Sequence, residues 1–243
     1  MKKIIIALFF VSSGLFIACD TAPETADVSR VTNYPNLELI GAESVIINQG
    51  DTFTDPGIIA TEGGNTIPYT TSVSGRFRGG TTLDTSRPDI YVITYSAVNQ
   101  DGFTGAITRT VIVADTGDLT TDISGLYRST VTRNGVLTAQ YTDLEYVLIW
   151  KNSNGTYELS DGIGGYYDFG RSYGVGYAAP GAIITANDIP SNSFSYSTFE
   201  VSGFGGGCTM NSMTVNPTAR TINFTTVWSA GFTFNVLLEQ VEL

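Results

Sequence analysis

Tyr91-Val92-Ile93-Thr94-Tyr95-Ser96-Ala97 and, after the turn Asn99-Gln100-Asp101-Gly102, Ile107-Thr108-Arg109-Thr110-Val111-Ile112-Val113 form the stretch on which the fold reading turns. Branched and aromatic side chains recur at every second position, the period of a strand with one buried face, and the Asp-Gly turn between the two runs predicts a hairpin of long strands. Upstream, the same alternation recurs in short bursts at 37–40, 44–48 and 67–73, punctuated by Gly, Asn, Asp and Pro. Five such segments without a helical period predict a β-sandwich.

Beyond Asp115-Thr116-Gly117-Asp118 the strands lengthen and glycines and aromatics multiply. Candidate strands cover 125–133, 144–151, 156–160, 173–177, 183–186, 193–201, 208–215, 221–228 and 231–241, with hairpin turns at Asn154-Gly155 and Ser229-Ala230-Gly231. Nine antiparallel strands suit a closed barrel or a two-sheet sandwich. Each set of strands can close a core, so two domains are expected to fold independently on either side of 115–118.

At the other end, Lys2 and Lys3 precede the apolar run Ile4 to Val11, then Ser12, Ser13, Gly14 and Leu15-Phe16-Ile17-Ala18-Cys19. That order reads as a signal peptide over 1–18. The run is too short to span a hydrocarbon core of about 30 Å, which takes roughly 20 apolar residues. Ala18-Cys19 resembles the lipobox of bacterial lipoproteins, which implies that Cys19 becomes the N-terminus and is the site of lipid attachment; acylation with more than one chain anchors a protein stably to its membrane. Residues 19–36 are polar and aperiodic, a lipidated flexible tether.

Charge narrows the partners. Removal of 1–18 leaves 10 basic against 23 acidic residues, a net charge of −13, and such a surface repels nucleic acid. Lys151 is then the only lysine, and the nine arginines are scattered along the sequence. An anionic ligand would need a local arginine pocket, so a neutral ligand is expected. The chain has no histidine, which excludes Ser-His-Asp and Cys-His catalysis and His-based zinc sites. With Cys19 committed to lipid, Cys208 has no disulfide partner and is expected to be a small buried hydrophobe. Asp143, Glu145, Glu158, Asp161 and Asp168 lie close in sequence, and a carboxylate pair among them would make a glycoside hydrolase. Glu145 and Glu158 fall in alternating strands and Asp161-Gly162 is a turn pair, however, so no catalytic residue, metal or cofactor is assigned. A calcium site from Asp161, Asp168 and backbone carbonyls is a further alternative, without the spacing of an EF-hand.

The most unusual run is Asp161-Gly-Ile-Gly-Gly-Tyr166-Tyr167-Asp168-Phe169-Gly-Arg171-Ser-Tyr173-Gly-Val-Gly-Tyr177. Glycine contributes no side chain to pack a neighbouring ring, so some of these rings are expected to reach solvent. An exposed tyrosine face suits a sugar ring, with Asp or Arg beside it for the hydroxyls. Tyr166, Tyr167, Asp168, Arg171, Tyr173 and Tyr177 are therefore the candidate carbohydrate-binding residues; the competing reading places the tyrosines in the core. Trp150 and Trp228 lie in apolar strands and are expected to be buried.

Residues 39–113 resemble the Ig-like modules repeated in bacterial surface proteins, through Asn48-Gln49-Gly50-Asp51-Thr52-Phe53-Thr54-Asp55-Pro56-Gly57, Ala60-Thr61, Leu83-Asp84-Thr85, Tyr91 to Tyr95 and Arg109-Thr110-Val111. Loop departures at Glu62-Gly63-Gly64-Asn65 and Pro88-Asp89-Ile90 touch loop function more than fold. Together with the lipobox and Asp122-Ile123-Ser124-Gly125-Leu126-Tyr127, the chain resembles a two-domain family of Bacteroidetes surface lipoproteins associated with glycan-uptake systems. The resemblance implies an all-β protein with an N-terminal Ig-like β-sandwich over 37–115 and a larger antiparallel β-sandwich or β-barrel over 119–243. It further implies a lipid-anchored protein of the outer membrane, exposed at the surface, which binds carbohydrate without catalysis and meets glycan-uptake components. A structural or adhesion spacer and a carboxylate-pair glycoside hydrolase are the alternatives.

Overall fold

The computed structural model describes residues 31–243; the signal peptide, Cys19 and most of the tether lie outside the described residues. The tether's last residues are not free. Asn99 Nδ2 donates to the Asn33 carbonyl at 2.8 Å and the Tyr34 ring meets Phe103 at 5.1 Å, so the chain docks onto the Ig-like module before β1 (Asn36–Leu39) begins.

The module is a sandwich of two small sheets. One pairs β1 with β3 (Ile58–Glu62) and β4 (Asn65–Thr66); the other has the order β2 (Ser44–Asn48), β7 (Thr104–Ala114), β6 (Asp89–Val98), β5 (Tyr69–Gly75), with β2 parallel to β7. The hairpin read from Tyr91 to Val113 is β6–β7, and its inward residues Tyr91, Ile93, Tyr95, Val111 and Val113 fill the core with Ile58 and Ala60. Strands β3 and β4 were not legible: β3 mixes Thr and Glu with its apolar residues, and β4 is two residues long. Arg109 is buried in this module. Its guanidinium donates to the carbonyls of Ile40 at 2.8 Å and Gly57 at 3.2 Å and meets Asp55 Oδ1 at 3.2 Å, and Asp55 in turn accepts the Tyr95 hydroxyl at 2.6 Å. The Asp55-Pro56-Gly57 turn thus does more than reverse the chain: its carboxylate neutralises a core arginine that ties down three loop carbonyls.

The second domain is one nine-stranded antiparallel sheet, in the order β12-β11-β10-β9-β8-β16-β15-β14-β13, curled into a nearly closed barrel. Its strands are β8 (Gly125–Arg133), β9 (Leu144–Lys151), β10 (Tyr157–Leu159), β11 (Ala182–Asp188), β12 (Ser193–Tyr196), β13 (Thr198–Glu200), β14 (Gly207–Asn216), β15 (Thr221–Trp228) and β16 (Phe232–Gln240). Of the two predicted architectures the barrel holds. The predicted single strand 193–201 is two strands on opposite sheet edges, separated by Ser197 alone, so the chain itself crosses the seam. Ser197 fastens the crossing: its N–H donates to the Ile183 carbonyl at 2.9 Å and its Oγ accepts the Ile183 N–H at 3.0 Å. Across the seam, Val215 N–H donates to Asn192 Oδ1 at 2.7 Å. The predicted strand 173–177 is instead a turn outside the sheet, tightened at Val175–Tyr177.

A shared apolar cluster joins the domains. Ile90, Ile112 and Ala114 of the module pack against Leu126, Leu148 and Trp150 on the outer face of the barrel, and Arg78 lies over the Trp150 ring at 5.0 Å. The early part of β8 and the late part of β9 are accordingly buried on both faces. Each domain has its own apolar cluster, and this third one makes their packing mutual.

Candidate functional site

The glycine-rich run decides what the end of the barrel looks like, and it does so from inside. After β10, residues 160–170 enter the barrel's interior as a plug. Gly162 and Gly164 are needed for the approach to the wall. A Cβ on Gly162 would sit 2.4 Å from the Phe199 ring, and one on Gly164, at φ +71°, would meet Ser129 Oγ and Val236 at 2.7 Å. The Gly162 carbonyl accepts a buried bond from Thr226 Oγ at 2.7 Å. The segment then closes as a π-type turn over Tyr166–Gly170, in which Gly170 N–H reaches the Gly165 carbonyl and Arg171 N–H the Tyr166 carbonyl, both at 3.0 Å.

This corrects part of the sequence reading. The glycines let the backbone pass through a packed interior, and Tyr166, Tyr167 and Asp168 are buried there. Tyr166 stacks on Tyr141 at 4.1 Å and meets Phe234 edge-on at 5.3 Å; Tyr167 contacts Trp228 at 6.0 Å. Burial pushes the Tyr166 hydroxyl up to about 12. Asp168 is held under Arg76 of the Ig-like module, which ion-pairs with it, and its carboxyl is raised by desolvation against the pull of that cation. None of the three offers a face to a ligand, though Tyr166 borders a pocket described below.

Tyr173, Tyr177 and Arg171 are placed differently. Tyr173 is half exposed, stacks on buried Tyr167 at 6.1 Å and meets Tyr177 at 5.3 Å. Phe204, outside the candidate residues of the 161–177 run, joins them: 49% exposed, it lies 5.0 Å from Tyr177 and 6.3 Å from Tyr173 and rests on Trp228 at 6.0 Å. Its loop is anchored by Trp228 Nε1, which donates to the Gly205 carbonyl at 3.0 Å. Only its flanking Gly203 and Gly205-Gly206-Gly207, the same composition that drew attention to 161–177, could have marked it in sequence. The result is an aromatic platform over a buried aromatic floor.

Beside the platform opens a pocket of about 550 Å³ bordered by Arg133, Asn134, Gln140, Tyr141, Tyr166 and Arg171. Rings connect the two: Arg133 lies 5.0 Å over Tyr166 and 4.8 Å over Phe232, Phe232 meets Trp228 at 5.7 Å, and Trp228 supports Phe204. Two other hollows differ in chemistry. One, on the outer face of β8, β14, β15 and β16, is lined chiefly by Thr, Ser and Asn with no tyrosine or tryptophan; the other lies in the domain junction around Arg76 and Phe169.

The carboxylates singled out in sequence do not converge on an opening. Asp161 and Asp168 are buried, and Asp143 and Glu145 are exposed beside Arg128. Asp161 accepts the Ile163 N–H at 2.8 Å, and burial, reinforced by Asp168 nearby, raises its carboxyl to about 7. Among the described residues no group of His, Cys, Asp and Glu is arranged to hold a metal. Cys208 is buried and free, with burial pushing its thiol up to about 11.

A family model for a C-terminal domain matches residues 116–240, and the model for the bacterial surface protein Ig-like domain matches residues 37–113. Among solved structures the chain is similar to the lipoprotein BT2262 from Bacteroides thetaiotaomicron, at 28% identity and a TM-score of 0.63, over 85% of this chain and 100% of that one. No curated protein matches.

Proposed function

The chain belongs to a two-domain family of bacterial surface lipoproteins in which an Ig-like module precedes a C-terminal β domain, and from that premise we propose that it binds an oligosaccharide without cleaving it. In this reading lipid on Cys19 holds the protein at the outer membrane, facing outward, and the Ig-like module carries the barrel away from the lipid. The platform of Tyr173, Tyr177 and Phe204 carries the proposal. Exposed rings are apolar surface for a partner to cover, and Tyr173 and Phe204, half exposed beside the partly buried Tyr177 and set against the buried Tyr167 and Trp228, offer apolar faces on which the C–H bonds of a sugar stack. The burial of Asp161 and Asp168 supports binding over hydrolysis, because neither carboxyl reaches a substrate. Components of a glycan-uptake system are the partners that such a role would require.

The test is a glycan array probed with the lipid-free protein. Tyr173→Ala and Phe204→Ala are each expected to weaken binding by about 0.5 to 1.5 kcal/mol, the worth of an aromatic contact, with little change in melting temperature. A protein that binds no glycan leaves the spacer role in its place.

A further inference from the structure

We infer that the pocket beside the platform receives an acidic sugar residue, with the sugar's carboxylate held between Arg133 and Arg171. The inference rests on the carbohydrate reading above and adds to it the charge of the ligand.

The first support is a missing counterion. Arg76, Arg109, Arg128, Arg220 and Lys151 each meet a carboxylate, as expected in a chain with many more acids than bases. Arg78, Arg87, Arg133 and Arg171 meet none among the described residues; Arg78 and Arg87 donate to the backbone carbonyls of Pro88 and Arg78 respectively, whereas Arg133 and Arg171 both border one pocket. The expectation of a neutral ligand rested on arginines scattered along the sequence; β8 ends at Arg133 and the π-type turn ends at Arg171, and the fold brings these ends together.

The second support is preorganisation. Arg133 is half-buried with its guanidinium set over the Tyr166 and Phe232 rings, and Arg171 leaves a turn whose backbone bond to the Tyr166 carbonyl fixes its start, with its guanidinium 6.0 Å from the Tyr141 ring. Arg171 also hydrogen-bonds the Tyr166 side chain, and stacking against rings holds the remaining guanidinium N–H donors in a plane, the geometry that binds a carboxylate through two bonds and loses little entropy in doing so. The third support is polar capacity for hydroxyls. Gln140 Nε2 donates to the Gly170 carbonyl at 2.7 Å, which leaves its Oε1 as an acceptor, and Asn134 Oδ1 accepts the Thr233 N–H at 2.8 Å, which leaves its amide as a donor. A volume of about 550 Å³ falls within the ordinary range for small-ligand sites, and ring contacts run from Arg133 through Phe232 and the buried Trp228 to Phe204, so pocket and platform rest on one packed aromatic support.

The experiment is calorimetric titration of the lipid-free mature chain with oligomers of galacturonate, glucuronate and mannuronate, each beside its methyl ester, which keeps the sugar and removes the charge. At least one acid is expected to bind roughly tenfold or more tightly than its ester, and to weaken as salt is raised. Arg171→Gln, at an exposed position and still able to donate to the Tyr166 hydroxyl, is expected to lose that tenfold preference with little change in melting temperature. Equal binding of acid and ester, binding of neutral glycans alone, or an undiminished preference in Arg171→Gln overturns the acidic ligand and leaves the carbohydrate reading standing. Absence of binding to every glycan, neutral or acidic, overturns both.

Discussion

Arg76 of the Ig-like module is ion-paired with Asp168 in the turn that plugs the barrel, so a charge contributed by one domain is neutralised inside the other. The same guanidinium lies 4.9 Å over Phe169, and the apolar cluster of Ile90, Ile112, Leu126, Leu148 and Trp150 adjoins it. Arg76→Ala removes the partner of a carboxylate with no exposed surface. Because Arg76 itself is about a quarter exposed, the expected loss is below that of a wholly buried pair, about 1–3 kcal/mol in urea unfolding. Adding Asp168→Asn should recover part of it. Calorimetry of the intact chain should show one transition shared by both domains.

Rings that look alike in sequence should behave oppositely. Tyr167 is 7% exposed amid Tyr166, Trp228 and Phe234, and its truncation to Ala is expected to cost about 3–5 kcal/mol of stability. Tyr173, at 50%, should cost less than about 1 kcal/mol and report in glycan binding instead. Thermal melts of the two variants, measured side by side, decide this.

Glycines of the run separate in the same way. Gly164→Ala forces a Cβ against Ser129, Val131 and Val236 at a positive φ, and should destabilise by about 2–5 kcal/mol. Gly174 also has a positive φ, +84°, but opens to empty space, and its Ala variant should lose only about 1–2 kcal/mol. Chemical denaturation of each variant distinguishes a plug from a loose loop.

Stability should fall as pH rises from about 4 towards neutrality. Burial raises the Asp161 carboxyl to about 7 in the folded protein, whereas an unfolded aspartate titrates near 3.9. Between those values the folded state holds a proton that the unfolded state has lost, so the contribution is full below about pH 4 and is lost by about pH 7, at up to about 1.4 kcal/mol per pH unit. Asp168, also raised, acts in the same direction, and the chain has no histidine to titrate in this window. Urea midpoints measured from pH 5 to 8 should decline in the native protein and stay nearly level in Asp161→Asn.

Anchoring can be checked apart from the fold. Cys19→Ala should abolish incorporation of labelled acyl chains and release the protein from the membrane fraction, with the β-sheet circular dichroism of the soluble part unchanged.

Alternation in sequence was enough for the elements that present one face to a core. The pattern reports which side chains leave water, and a strand such as β14 or β15 needs nothing more to be located. The Ig-like turn at Asp55-Pro56-Gly57 and the burial of Cys208 were legible for the same local reason: each depends on residues adjacent in the chain or on composition alone. What the glycine-rich run does was not local. Glycine between tyrosines permits both an exposed loop and a close-packed plug, and the choice depends on the wall that Val131, Val236 and Phe199 bring from strands far away in sequence. Only the closed sheet therefore decided that Tyr167 is floor while Tyr173 and the unforeseen Phe204 are surface. The same closure set Arg133 beside Arg171, because the position of a charge in space follows the strand ends that carry it, and no periodicity within either segment encodes that meeting.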